Sequence, residues 1–513
     1  MTADGVSALG RRVLAAGTVS VLLFVLVGAV GESAAAPPLG PRTWFPPWDA
    51  GLGVPPAVIG IALVVAYLLG AAAVWWGLDA VAAGLRPDPR RVALLAVVAV
   101  VALLLVPPFG SADHLSYAAY GRIAAQGGDP YAIAPNVWHG GHDVVAGAAE
   151  PPWDDTTSVY GPVATALQAV ASLAGGDSVR ATVSAWQLLV GAAFLLTGWL
   201  LDRLARRDPA RRARVAVLWT LNPVLLGVLV GGAHLDAISV AAAIGCLALG
   251  IAAARPDRPP PLAFALTLGA GVALGLAAGT KLPYAAAGLA VLWLHRRRPA
   301  IAVGGLVAGA AAVLLPAHLW AGPHVYDQAS EQSRFVSLAT PWRAVTNALA
   351  AAGYDDARSA VVPAFAVLAC LVLVAVLPRM RAADGDDGSR AMLALAVAYL
   401  VSAPYVLPWY DALLWAPLAL VAGTGLDRVL LLRFGTLAIA YVPGRAAGPP
   451  STLTDIMLDF REFAAPLVTG AVLVWIIATG LRRNTTVSPT RASPRKTIAE
   501  TMTQSGVDHS HDH

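Results

Sequence analysis

Charge is what this chain has least of. Asp, Glu, Lys and Arg make up 13% of its 513 residues, against about 25% in soluble proteins. That shortage excludes a string of soluble domains, because too little polar surface is left to solvate them. Cysteine is nearly missing. Cys246 and Cys370 are the two in the chain, and each sits inside an apolar run. A disulfide framework is excluded, and both read as small packing side chains. No clear internal repeat is visible, which weighs against the inverted-repeat transporters. The net charge of +4 says little by itself, and no nucleic-acid partner is expected.

What fills the chain is hydrocarbon. Hydrophobic residues reach 57%, gathered in runs such as Val92–Val106 and Val361–Val376 and in longer ones of about twenty residues, near the span of a bilayer core. Backbone polar groups must be satisfied internally there, so these runs predict helices. The expectation is an all-α polytopic membrane protein, a bundle of about 14 transmembrane helices with short amphipathic helices in its outer loops. The segments lie near residues 13–31, 56–83, 92–107, 184–201, 214–231, 237–254, 262–279, 284–295, 300–320, 359–378, 391–404, 408–426, 428–443 and 465–481. With a cytoplasmic amino terminus, the inner loops collect most of the Lys and Arg, including Arg11, Arg12, Arg86, Arg90, Arg91, the cluster Arg203 to Arg214, Arg296 to Arg298, Arg379, Arg381, Arg428 and Arg433. The positive-inside rule then sets both termini in the cytoplasm. Residues 1–31 resemble a signal peptide, but the apolar stretch is long and helix parity works with it retained, so it reads as an uncleaved first helix. One multi-helix domain is expected over residues 1–482, followed by a disordered cytoplasmic tail at 483–513, polar and rich in Ser, Thr and Pro.

The outer loops carry the chemistry. The largest, about 107–180, is too long for a connector. Leu115, Ala118, Ala119 and Ile123 recur at helical spacing, and Gly127-Gly128 ends the stretch. A short helix along the membrane surface is expected. Asp113 precedes it and admits two readings, an N-cap and a general base. His114 is adjacent but points elsewhere on a helix. Tyr117, Tyr120, Arg122, Asp129, Tyr131 and Tyr160 make the same loop polar and aromatic, suited to a sugar whose C–H faces stack while its hydroxyls bond carboxylates. Aromatics at an interface also occur simply as a belt. His234 and Asp236 close the fifth segment; as two ligands they fall short of a metal site, and substrate hydrogen bonding is the preferred role. Lys281 ends the seventh segment and Arg334 lies in the second outer loop, about 321–358. Either cation suits a phosphate, with snorkelling the alternative for Lys281. Trp409 and Tyr410 are placed to line the same cavity from the far helices. Gly271, Gly275 and Gly279 recur every four residues on one helix face, a spacing that lets helices approach closely in lipid. A third outer loop, about 444–464, holds Arg445, Asp455, Asp459 and Arg461.

Taken in order, Asp113–Arg122 (DHLSYAAYGR), Asp129–Tyr131 (DPY), Val159–Pro162 (VYGP), Asn222-Pro223, Gly231–Ala237 (GGAHLDA), Lys281–Pro283 (KLP) and Pro408–Tyr410 (PWY) resemble the actinobacterial polyprenol-phosphomannose-dependent α-1,6-mannosyltransferases, membrane glycosyltransferases of GT-C type. The resemblance implies a GT-C-like bundle, a polyprenyl phosphate mannose donor, a lipid-anchored mannan acceptor, and inverting transfer on the outer face of the plasma membrane. It maps the catalytic acid onto Asp113. The chain departs from the family pattern after Asp113, where His114-Leu115-Ser116-Tyr117 stands, and at Leu235, where the family usually has Asn. No metal or other cofactor is expected, since the leaving group is a phosphomonoester. The rival readings are a transporter or flippase of a lipid-linked sugar and a structural scaffold of a cell-wall assembly.

Overall fold

The computed structural model describes residues 3–297, 299–332, 335–354, 358–377 and 387–485. Arg298, Arg334, Arg379, Arg381 and the tail beyond residue 485 lie outside the described residues. Every regular element among those described is helical. In chain order the main ones are α1 (Ala3–Val30), α2 (Pro56–Ala82), α3 (Pro89–Leu104), α4 (Asp113–Ala125), α5 (Pro162–Gly175), α6 (Val179–Ala205) and α7 (Pro209–Gly231). They continue with α8 (Asp236–Ala253), α9 (Pro260–Thr280), α10 (Leu282–Leu294), α11 (Pro299–Ala321), α12 (Pro341–Ala351), α13 (Arg358–Val376), α14 (Asp387–Ser402), α15 (Ala412–Leu420), α16 (Asp427–Ala440) and α17 (Thr452–Arg482).

Nine of the described helices are long and apolar enough to cross a membrane, namely α1, α2, α6, α7, α8, α9, α11, α13 and α17. The expected count of fourteen is therefore not reached on length and composition. The other five segments are helical but short. Helices α3 and α14 have 16 residues each and α16 has 14, so even the longer pair reaches about 24 Å, less than a hydrocarbon core of about 30 Å. Many spanning helices turn apolar side chains outward. Leu26, Leu68, Val307, Leu319 and Val474 are all more than half exposed. In water that surface would be an aggregation hazard; in lipid it costs nothing.

Proline and glycine set the boundaries. Pro56, Pro89, Pro162, Pro209, Pro260 and Pro341 each stand in the first turn of their helix, where the missing N–H is no loss. The glycine ladder of α9 meets α11 directly. A Cβ at Gly271 would lie 2.6 Å from the Gly305 carbonyl oxygen, and one at Gly275 2.8 Å from Val313 Cβ. These helices pack backbone to backbone, as small residues permit in lipid.

Asp113, His234, Asp236 and Lys281 stand at or beside ends of α4, α7, α8 and α9. Many of the arginines mark the opposite ends, where Arg428 pairs with Asp79 at the end of α2 and Arg212 with Asp202 near the end of α6. Arg433 does not belong in an inner loop. It is buried in α16, ion-paired with the equally buried Asp411. The surface helix is also revised. His114 to Gly121 of α4 are all buried, because α4 is packed against α5 and α6 and roofed by the rest of its loop.

Candidate active site

Asp113 is the first residue of α4, and its carboxylate does not cap the helix. The cap position is Ala112 and no side chain caps the helix; Ser111 Oγ accepts from the Asp113 backbone N–H at 3.2 Å. The Asp113 carboxylate is thereby left for other partners. Tyr117, one turn on, donates its hydroxyl to Oδ2 at 3.4 Å, and His234 Nδ1 lies 3.6 Å from the same oxygen. Burial pushes the Asp113 carboxyl up to about 6; Lys281 works against that rise and Asp236 adds to it. Burial first, and the Lys281 cation second, hold the His234 imidazole well below its usual range. The ring is neutral at physiological pH.

His234 is placed by an unusual backbone. The last turns of α7, Leu226–Gly231, are π-helical, a rare form found mostly as bulges at functional sites. Ala233 then adopts φ +53°, a left-handed conformation that costs a non-glycine residue roughly 1–2 kcal/mol. Trp186 Nε1 donates to the Ala233 carbonyl at 2.9 Å and holds it there. The imidazole lies flat on Trp409, with ring centroids 3.6 Å apart and planes 12° apart. Leu235 is fully buried in the main core, so this position packs the bundle and does not face a ligand.

Asp236 and Lys281 form an ion pair, with Nζ donating to both carboxylate oxygens at 2.9 and 3.1 Å. Tyr284 adds a hydroxyl donor to Asp236 at 2.9 Å. The ammonium stands 3.2 Å from the centroid of the Tyr410 ring, in cation–π geometry. Lys281 is one of two lysines among 35 Lys and Arg. The neighbouring VYGP segment reaches it by close approach: the Gly161 N–H donates to the Thr280 carbonyl at 3.1 Å. A Cβ on Gly161 would stand 2.3 Å from the Gly279 carbonyl oxygen. Only glycine fits there, and it sets Tyr160 beside the end of α9.

Asp113 and Lys281 open into one cavity of about 420 Å³. Tyr120, Tyr160, Trp409 and Tyr410 share its wall. Tyr117 reaches the site through Asp113 and packs edge-on against Tyr160 at 5.2 Å. His234 and Asp236 stand behind the wall, beside Asp113 and Lys281, and three further residues singled out from the sequence stand elsewhere. Arg122 is a loop staple, bound to Asp143 at 3.0 Å and Asp177 at 2.5 Å. Asp129 turns its own segment by accepting from the Tyr131 N–H, and takes His324 at 2.9 Å. The Tyr131 hydroxyl meets Thr165 Oγ1 at 2.7 Å. None of these three lines the cavity. Tyr405 and Tyr441, which the sequence does not single out, line it, as do Arg445 and Arg461 of the third outer loop, to which the sequence assigns no role. Tyr405 and Tyr441 lay within or beside apolar runs, and no local pattern marks a tyrosine that turns toward a site. Asp236 is taken up by Lys281 and Tyr284, and among the described residues no group of three or more His, Cys, Asp or Glu side chains is gathered to hold a metal ion.

Residues 14–297, more than half of the chain, match the model of the alpha-(1->6)-mannopyranosyltransferase family, N-terminal domain. The chain belongs to that family. Among its relatives, alpha-(1->6)-mannopyranosyltransferase A of Corynebacterium glutamicum is 25% identical over 380 residues, covering 67% of this chain and 72% of the relative. Alpha-(1->6)-mannopyranosyltransferase B of the same organism is 32% identical over 30% of the chain. A probable alpha-(1->6)-mannopyranosyltransferase of Mycolicibacterium smegmatis is 35% identical over 32% of it. The chain spans 25% and 30% of the length of these last two relatives. No solved structure matches it significantly. The matched family region contains Asp113, Tyr160, His234, Asp236 and Lys281; Trp409, Tyr410 and the third outer loop lie beyond it.

Proposed function

We propose that this protein transfers mannose from polyprenyl phosphate mannose to a hydroxyl of a lipid-anchored mannan, forming an α-1,6 linkage with inversion. The observation that carries the reading is the shared cavity: a carboxylate with a raised pKa and a cation open into one space walled by aromatic rings. The names of the relatives support mannosyl transfer with α-1,6 linkage.

The chemistry follows from the charges. A hydroxyl is a weak nucleophile at neutral pH. Asp113, when ionised, takes its proton as the oxygen attacks the anomeric carbon, a contribution of roughly 10²–10⁴-fold. The bond from that carbon to the phosphate oxygen breaks, and its electron pair leaves with the polyprenyl phosphate. Between the two, the sugar passes through an oxocarbenium-like state. Tyr117 orients the carboxylate through its hydroxyl and the neutral His234 flanks it, while Trp409 and Tyr410 offer faces to the sugar ring. The cation of Lys281 stands near the developing phosphate charge. The excess of arginine in the loops at the opposite helix ends supports a plasma-membrane protein with cytoplasmic termini and an extracytoplasmic site.

The test uses full-length protein in nanodiscs with polyprenyl phosphate mannose and a synthetic mannoside acceptor. The expected product is an α-1,6-extended mannoside from wild type, and almost none from Asp113→Asn with an unchanged elution profile. Normal turnover by that variant removes Asp113 as the base. Absence of product from wild type, with donor moved across the bilayer instead, transfers the case to a flippase.

A further inference from the structure

Three cations line the cavity among the described residues: Lys281, Arg445 and Arg461. Two are already neutralised. Lys281 is held by both oxygens of Asp236, and Arg445 is bound by Glu150 at 2.6 Å. Arg461 has no carboxylate partner among the described residues. Its Nε donates to the Ala440 carbonyl at 2.6 Å, and its guanidinium lies 4.0 Å from the centroid of the Tyr441 ring. These contacts fix the fork and occupy Nε, while Nη1 and Nη2 donate to no described residue. Arg461 sits in the π-helical turn Phe460–Ala464, within α17. Such turns are rare and concentrate at functional sites.

We infer that Arg461 is the principal anchor for the phosphate of the lipid carrier, and that Lys281, tied to Asp236, plays the lesser part. This rests on the mannosyl-transfer reading and gives the leaving group a site. The donor phosphate is a diester with a single negative charge. Once the bond to the sugar breaks, the electron pair left on oxygen makes it a monoester, whose charge at neutral pH is about −1.5 to −2. A cation already neutralised gains little from that increase. An unpaired guanidinium with two parallel donors gains most, and Arg matches phosphate oxygens bidentately. Among the described residues Asp113 and Arg461 are thus the cavity's carboxylate and cation without an ionic partner, one for the proton and one for the phosphate.

The test reads binding, so its outcome is separate from turnover. Full-length protein in nanodiscs is titrated with a short polyprenyl phosphate and with the matching uncharged polyprenol. Wild type is expected to prefer the phosphate by roughly 10–100-fold, the range of a charged hydrogen-bond pair. In Arg461→Gln, and in Arg461→Met, which keeps the stem against Tyr441, that preference should fall below about threefold while polyprenol binding is retained. An undiminished preference in either folded variant overturns the assignment. Should both misfold, wild type decides. Phenylglyoxal adducts mapped by mass spectrometry should show Arg461 protected by the polyprenyl phosphate and not by the polyprenol; equal labelling overturns it. If mannosyl transfer itself fails while Arg461 governs the preference, the phosphate site stands and the acceptor chemistry is revised.

Discussion

Two buried acid–base pairs in this molecule look alike as chemistry and differ in what surrounds them. Asp411 and Arg433 are 1% and 3% exposed. The guanidinium also donates to the Leu400 carbonyl at 2.6 Å, so its charge is used up inside the bundle. Asp236 and Lys281 are 1% and 14% exposed, and the ammonium looks over Tyr410 into a cavity. The first pair is closed by protein on every side that carries charge; the second keeps one side for a ligand. Burial of an ion pair therefore says little about role until the open side is known. Such pairs are weak evidence for stability in any case, because desolvation offsets most of the attraction.

The contrast can be broken deliberately. The largest expected effect on turnover is at Asp113, which shares the cavity with Lys281: Asp113→Asn should lower kcat by roughly 10²–10⁴-fold, measured with radiolabelled donor. It should not destabilise the fold. With a folded pKa of about 6 against a lower unfolded one, the protein is most stable while Asp113 is protonated; that stability is lost as pH rises through 6. An unfolding temperature above wild type at pH 7.5 is therefore expected. Next comes the closed pair. Arg433→Met leaves Asp411 buried and alone, a loss of about 3–5 kcal/mol. Adding Asp411→Leu should restore most of it, as read by thermal unfolding in detergent. Lys281→Met likewise leaves Asp236 buried without its cation and should lower the unfolding temperature, but if the open pair has the role assigned it should in addition cost roughly 10²-fold in kcat in the folded fraction. A folded Lys281→Met variant with normal kcat would make the two pairs equivalent.

The pH profile sharpens the same distinction. A base that must be ionised, with a pKa of about 6, makes kcat fall about tenfold per unit below pH 6 and level off above it. A profile flat from pH 5 to 8 would rule out Asp113 as the titrating group. The smallest effect on chemistry is expected at Arg122. Because it staples Asp143 and Asp177 away from the cavity, Arg122→Gln should cost about 1–3 kcal/mol of loop stability with kcat nearly unchanged.

Much of this site was legible because the motifs are local and their spacing carries meaning. Asp113 with Tyr117 reads as one helical turn, GGAHLDA as a break between apolar runs, and Lys281 as the polar end of another. The errors came where a residue type suited two tasks. Arg122, Asp129 and Tyr131 are polar, aromatic and in the correct loop. Whether such a side chain meets a ligand or a neighbour depends on which way its turn faces. The glycines read as a helix-packing ladder do meet α11, since small residues leave few other options in an apolar helix. Arg433 was misplaced because a charge inside an apolar stretch reads as a loop until its buried partner is seen.

Composition and periodicity by themselves determined that the chain is a helical membrane protein, since hydrocarbon admits no other spanning element for these runs. They also placed most of its charged residues at helix ends, because charge in the middle is costly unless paired, as Arg433 is with Asp411. Which acids and cations share a cavity was decided only by tertiary structure. Asp113, Lys281 and Arg461 lie far apart in the chain, and no sequence spacing records that α4, α9 and α17 end around one space. The same packing gave Asp236 to Lys281 and Glu150 to Arg445, and left Arg461 without an acid among the described residues. Net charge in a cavity belongs to the assembled set of partners, not to any one residue.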